Sequence, residues 1–247
     1  MAHTSPSTTL SKNTSANPEA PPPDLRSTNA KKPSMLTLNA LSLWTLDQNI
    51  FRLIHVDLHR DFLDQIMLII TYTGDGHIQI PILLFLAINK KTRAYGLAMI
   101  AAFCSAGILR IIVKQIVDRP RPSNLDFANP LTWPGGFPGG PEGWLSKTFD
   151  VIPYGNSSFP SGHSTTSFAM AFMLAWLVYR TENAWIGWLA ALWATLVGLS
   201  RIYVGVHYPG DVIAAAALSG IVTSALYLLW QSKNWLPAPA RLSTSDS

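Results

Sequence analysis

Charge is scarce in this chain. Only 13% of its 247 residues are Asp, Glu, Lys or Arg, about half the roughly 25% of an ordinary soluble domain. There is one cysteine, Cys104, inside an apolar stretch, so no intrachain disulfide can brace the fold and the thiol reads as a packing residue. The basic residues form no single run and the formal net charge is only +4, which leaves nucleic-acid binding without support. The N-terminus lacks the apolar core of a secretory signal. Residues 1–35 are mostly Ser, Thr, Pro, Asn and Ala, and read as a disordered tail unable to bury enough apolar surface to order itself.

What the chain has instead is long apolar runs. Nearly half of it, 48%, is hydrophobic, and nine tryptophans suit the headgroup level of a bilayer. Residues 94–113 are apolar except for Arg110, and 164–179, 183–200 and 212–230 contain no charge. Each approaches the ~20 residues that cross a ~30 Å hydrocarbon core. Residues 62–73 and 78–89 are also apolar but shorter, and Gly74, Asp75 and Gly76 part them. They are either two short spans joined by a tight turn or a half-inserted helix followed by one span. Residues 36–60 alternate apolar and polar positions around Arg52, His55, Asp57, His59 and Arg60, the pattern of an amphipathic helix on a membrane surface. The expected fold is an all-α integral membrane protein. It is a six-helix transmembrane bundle over residues 61–232, with five spans as the fallback, preceded by that interfacial helix.

Short loops set the orientation. Lys90, Lys91 and Arg93 lie between the second and third apolar segments, and Arg180 lies between the fourth and fifth. The excess of Lys and Arg in cytoplasmic loops puts them inside, and Arg26, Lys31, Lys32, Lys233 and Arg241 then place both termini there, including a cytoplasmic tail over 233–247. The Gly- and Pro-rich connection 123–159 becomes external. Connections of this length are often functional; this one either covers the mouth of a site or is a loose loop.

Chemistry-bearing residues gather on that external face. Lys114, Arg119, Arg121 and Arg201 cluster there without a matching set of carboxylates in sequence, which suggests an external anion, since Arg and Lys suit phosphate oxygens. Arg110 lies one helical turn before Lys114. Pro160-Ser161-Gly162-His163 opens an apolar segment, and the free N–H groups of a helix start make a phosphate cradle. Ser161 can add a hydroxyl donor, cap the helix, or both. His163 is a candidate general acid. Three residues separate His207 from Asp211. Asp211 can cap the last helix or fix the imidazole's tautomer, leaving His207 as general base or nucleophile.

Together these residues resemble the type 2 phosphatidic acid phosphatase superfamily, whose pattern is K-x6-RP, PSGH and SR-x5-H-x3-D. The chain supplies it as Lys114-x6-Arg121-Pro122, Pro160-Ser161-Gly162-His163 and Ser200-Arg201-x5-His207-x3-Asp211, matching in order at all eleven specified positions. The resemblance implies a membrane lipid phosphatase in which His207 attacks phosphorus to form a phosphohistidine and Asp211 orients it. His163 then protonates the leaving oxygen, and Lys114, Arg121, Ser161, Gly162 and Arg201 hold the phosphoryl oxygens, with Arg119 as a possible addition. No metal and no cofactor is expected, because no carboxylate cluster of the Mg²⁺-binding kind lies among the motifs. The substrates implied are undecaprenyl diphosphate first, then phosphatidic acid, phosphatidylglycerol phosphate and lipid A. The location implied is a bacterial inner membrane with an external active site and surrounding lipids as neighbours. A phosphotransferase would use the same residues. A non-catalytic binder would not need the two histidines, and the related soluble haloperoxidases lack the spans.

Overall fold

In a computed structural model the described residues are 35–122, 125, 130, 131 and 157–235. The expected tail other than Met35, most of the 123–159 connection and the chain from residue 236 lie outside them. Contacts divide the chain into two units, Met1–Asn39 and Ala40–Ser247, and the second contains the helical bundle. All regular structure among the described residues is helical: α1 (Met35–Arg52), a π-type turn (Leu53–Asp57), α2 (Asp61–Thr73), α3 (Gly76–Ile88), α4 (Arg93–Ile116), α5 (Gly162–Val178), α6 (Ala184–Tyr203) and α7 (Pro209–Ser232).

The distribution of side chains is that of a protein solvated by lipid. Helices α4, α6 and α7 are long and apolar enough to cross a membrane. Large apolar side chains point outward along them, Trp188 being 78% exposed and Ile213 69%, a surface that water would penalise and hydrocarbon would not. Polar side chains are instead buried between helices: Thr71, Gln79, Ser164, Thr165, Ser167, Ser219 and Thr223 are all inside, and they bond to other side chains or to backbone carbonyls, as when Ser219 donates to the Thr165 carbonyl at 2.8 Å. The chain is an integral membrane protein. Helix α5 is the central element and packs on α4, α6 and α7, with Ala169, Met173 and Leu177 in the main apolar cluster.

The segment before α4 departs from the six-span expectation. Near the start of α2, Asp64 accepts a hydrogen bond from the Tyr203 hydroxyl at 2.7 Å, at the C-terminal end of α6. Farther along α2, the Thr71 hydroxyl accepts from Arg201 Nη1 at 2.8 Å and the Thr73 hydroxyl from Trp193 Nε1 at 2.9 Å. Helix α2 therefore descends along α6 from the end where α6 finishes. Helix α3 continues the same way: Gln79 donates to Ser167 at 2.7 Å, and the Leu86 carbonyl accepts from Thr92 just before α4. Each helix has 13 residues and rises only about 20 Å, so neither alone matches a ~30 Å core. They are one pass interrupted at Gly74-Asp75, not a hairpin. Among the described residues the chain runs along the bundle five times, and three of these passes, α4, α6 and α7, are helices long and apolar enough to cross a membrane.

The second half of α1 and the first basic loop lie at different ends of the bundle. The second half of α1 lies at the end where α6 finishes and α7 begins, since Asp47 accepts the Gly210 N–H at 2.8 Å. The loop bearing Lys90 and Lys91 is at the other end.

The interruption is tightly seated. A Cβ added to Gly74 would stand 2.4 Å from Val197 Cγ1. Gly74→Ala should therefore cost roughly 1–3 kcal/mol of overpacking, measured as earlier unfolding in detergent. Adding Val197→Ala should recover part of the loss. A single variant as stable as wild type would contradict the close contact between α2 and α6.

Candidate active site

Alternating helix directions bring four helix ends together: the C-terminal ends of α4 and α6 and the N-terminal ends of α5 and α7. Ser161 is the N-cap of α5. Its buried hydroxyl oxygen accepts from the Ser164 N–H at 3.5 Å and from the Ser164 hydroxyl at 2.9 Å. Its own N–H donates to the Asp211 carbonyl at 3.2 Å, which pins the start of α5 to the start of α7. The capping role is thus filled, and the Ser161 hydroxyl proton is still available for an anion. Arg110, on α4, lies over the adjoining turn, so that a Cβ at Gly162 would be 2.9 Å from its Nη1.

The turn that carries His207 follows α6. Gly205 has φ of +84°, in the region that favours glycine, and the His55 ring packs where a Cβ would be. His55 Nδ1 is 2.8 Å from the Tyr203 carbonyl. Beyond the turn, His207 Nδ1 lies 3.4 Å from Asp211 Oδ2, and that oxygen also accepts the Tyr208 N–H at 2.9 Å. Asp211 therefore caps α7 and faces the imidazole at once. With Nδ1–H turned to the carboxylate, the Nε2 lone pair is the one open to a substrate. Burial pushes the His207 imidazole down to about 4; Asp211 opposes that shift, while Arg201 and Arg121 reinforce it. Burial thus favours the neutral form of the ring.

Cations surround the two histidines. Arg201 and Arg121 act on His207, Arg201 and Arg110 on His163, and Arg121 and Arg110 on Lys114. Four positive side chains from α4, α6 and the segment after α4 thus share one small region, and a bound phosphoryl group would relieve their mutual repulsion. Arg201 is also steadied by Thr71. The structure brings together Lys114, Arg121, Ser161, Gly162, His163, Arg201, His207 and Asp211, and it adds Arg110.

Arg119 is placed differently from the expectation that it holds substrate. Its Nη1 donates to Asp211 Oδ1 at 2.6 Å, its Nη2 is paired with Asp47 Oδ2, and its guanidinium lies 4.8 Å from the Trp44 ring centroid and 4.3 Å from that of Tyr208. At 13% exposure it is an internal brace between α1 and α7. Two carboxylates escaped the sequence reading. Asp47 lies in an amphipathic stretch far along the chain from its partners, with no local signal. Asp75 was visible as a turn residue, and its charge between two apolar runs was the available clue. It caps α3, and its Oδ2 lies 3.6 Å from His163 Nε2.

The chain is similar to known proteins in sequence and in fold. The sequence profile of the PAP2 superfamily matches residues 93–235. An undecaprenyl-diphosphatase of Sulfolobus acidocaldarius is 30% identical over 164 residues, covering 65% of this chain and 68% of that protein. The undecaprenyl-diphosphatase BcrC of Bacillus subtilis is 26% identical over 180 residues, covering 72% and 80%. Among solved structures, a transmembrane PAP2-type phosphatidylglycerolphosphate phosphatase of Bacillus subtilis superposes with a TM-score of 0.59 over 80% of this chain and 92% of that one, at 24% identity. At that identity the superposition establishes the fold.

The Arg119 brace predicts a particular kinetic result. Asp47→Asn and Arg119→Ala should lower kcat on lipid monophosphates and diphosphates by the same factor, with little change in KM, because both act through the orientation of Asp211. Arg119→Ala should also cost roughly 3–5 kcal/mol of stability by leaving two carboxylates unmatched. A loss confined to diphosphates would instead assign Arg119 to substrate.

Proposed function

The chain belongs to the PAP2 superfamily and is a membrane lipid phosphatase of that type; we propose that it hydrolyses undecaprenyl diphosphate through a phosphohistidine on His207. One observation carries this reading: a neutral imidazole oriented by Asp211 faces a region crowded by Lys114, Arg110, Arg121 and Arg201, at one end of an apolar bundle. Phosphoryl transfer requires an in-line nucleophile and fixed positive charge around the equatorial oxygens, and both are at hand. A lipid would present its phosphate there while its tail stays among the helices' hydrocarbon surroundings.

In the first step His207 Nε2 forms a bond to phosphorus as the bond to the leaving oxygen breaks. Asp211 holds Nδ1–H and balances the positive charge that the ring gains. His163 supplies the proton to the leaving oxygen, then takes one from the water that attacks the phosphohistidine. Lys114, Arg121 and Arg201 hold the phosphoryl oxygens with the N–H groups at Ser161 and Gly162. The diphosphate is favoured by the names of the relatives and by Arg110, which offers a fourth cation beside Gly162 for a second phosphate. The basic loops at Lys90, Lys91 and Arg180 support an orientation with the site on the outer face and α7 ending inside, in what we take to be a bacterial cytoplasmic membrane.

His207→Ala should abolish phosphate release while leaving membrane insertion intact, and wild type mixed rapidly with labelled substrate should trap acid-labile, alkali-stable phosphate that the variant lacks. Because the His207 imidazole is held near 4 rather than 6.5, the acid limb of kcat/KM due to the nucleophile should fall below the usual imidazole range. In a panel at matched surface concentration, undecaprenyl diphosphate should exceed phosphatidic acid, phosphatidylglycerol phosphate and lipid A in kcat/KM. A monoester ranking first would overturn the substrate, and turnover by His207→Ala would overturn the nucleophile.

A further inference from the structure

Asp75 occupies the interruption between α2 and α3, inside the bundle and only 8% exposed. A carboxylate in such a place is expensive unless it is matched. Capping α3 does not by itself require the charge, since Asn or Ser would cap as well. The two carboxylate oxygens divide their work. Oδ1 accepts the His77 N–H at 3.0 Å and lies 2.6 Å from His77 Nδ1. Oδ2 is turned across to α5, 3.6 Å from His163 Nε2. That is an ion-pair separation, and catalytic contacts of this kind commonly shorten when substrate binds.

The surroundings of His163 explain why a carboxylate is needed. Arg201 from α6 and Arg110 from α4 both act on the ring, and neighbouring cations disfavour a second positive charge. A histidine in this position must nevertheless be protonated to donate to a leaving oxygen. Among the described residues, Asp75 at the interruption is the carboxylate that acts on the ring, and it can carry a compensating negative charge.

We propose that Asp75 is a positioning residue for His163, forming a second histidine–carboxylate pair opposite His207–Asp211 and sustaining the imidazolium that protonates the leaving group. This rests on the reading of His207 as the nucleophile. As the His207 Nε2–phosphorus bond forms and the bond from phosphorus to the leaving oxygen breaks, the His163 Nδ1 proton passes to that oxygen. The ring is left neutral with Nε2–H directed to Asp75, so Nδ1 is the nitrogen that later accepts a proton from water. The importance of Asp75 then scales with how poor the leaving group is. An alkoxide needs the proton, whereas a nitrophenolate or a lipid monophosphate departs with little help.

Asp75→Asn separates this role from capping, because Asn retains the helix cap and removes the charge. With purified protein in detergent, the variant should lose about 10²-fold in kcat/KM on dodecyl phosphate, the scale of a general-acid contribution. On 4-nitrophenyl phosphate it should lose less than about threefold by the same reasoning. Its unfolding temperature should match wild type, and Asp75→Ala, which loses the cap too, serves as the destabilised comparison. Equal losses on the two substrates, or no loss on either, would overturn the proposal. Phosphohistidine formation tests the parent reading separately. If wild type hydrolyses both esters without a trapped phosphohistidine on His207, that reading fails first and the role of Asp75 with it.

Discussion

A charge surrounded by hydrocarbon and packed helices must be met by another charge or moved to an edge, and the site is arranged around that constraint. Asp211 is fully buried, and three different donors meet it: the Tyr208 N–H, Arg119 and His207. Because its two oxygens are engaged from different sides, the carboxylate cannot rotate away from the imidazole. Arg119 in turn would be a buried cation with half its charge answered, and Asp47 supplies the other half. A single catalytic geometry thus reaches back to α1, some 160 residues earlier in sequence, through electrostatic matching rather than apolar packing alone.

The same constraint divides the cations into two kinds. Arg119 is neutralised internally by two carboxylates and stacked between Trp44 and Tyr208, so it contributes rigidity. Lys114, Arg110, Arg121 and Arg201 act on one another or on the histidines, and in the proposed reaction they would meet the anionic headgroup. These four are fixed by helix ends whose directions alternate, and little rearrangement would be required when the anion arrives. Preorganised charge of that sort stabilises developing negative charge without being reoriented at the moment of reaction.

How much of this was legible in sequence follows from distance along the chain. His207 and Asp211 are four residues apart, and Ser161, Gly162 and His163 are contiguous, so each group could be read from a local pattern with a stated chemistry. The apolar runs equally announced α4, α6 and α7. The Asp47–Arg119 and Asp75–His163 contacts join segments 72 and 88 residues apart, and nothing local to either carboxylate names its partner. Arg119 was misread for the same reason: counted in sequence it looked like one more cation without a carboxylate, whereas in space it has two. The number of passes was ambiguous because a Gly-Asp-Gly break serves a hairpin turn and a mid-span interruption equally well. Only the order of contacts along α6, from Tyr203 to Arg201 to Trp193, distinguishes the two.

The interruption itself has a physical logic once its direction is known. A continuous helix through residues 71–79 would satisfy its own backbone and offer no way to aim a carboxylate at the neighbouring helix. Breaking it frees N–H groups at the start of α3, and Asp75 answers one of them while its second oxygen reaches α5. Gly74 is the residue that permits the break to sit flush against Val197, and Gln79 to Ser167 closes the joint one turn below. Exposed backbone at membrane depth is tolerated only where protein buries it, and here α5 and α6 do so. The defect in the helix and the placement of a charge beside His163 are therefore one feature, since neither is affordable in an apolar bundle without the other.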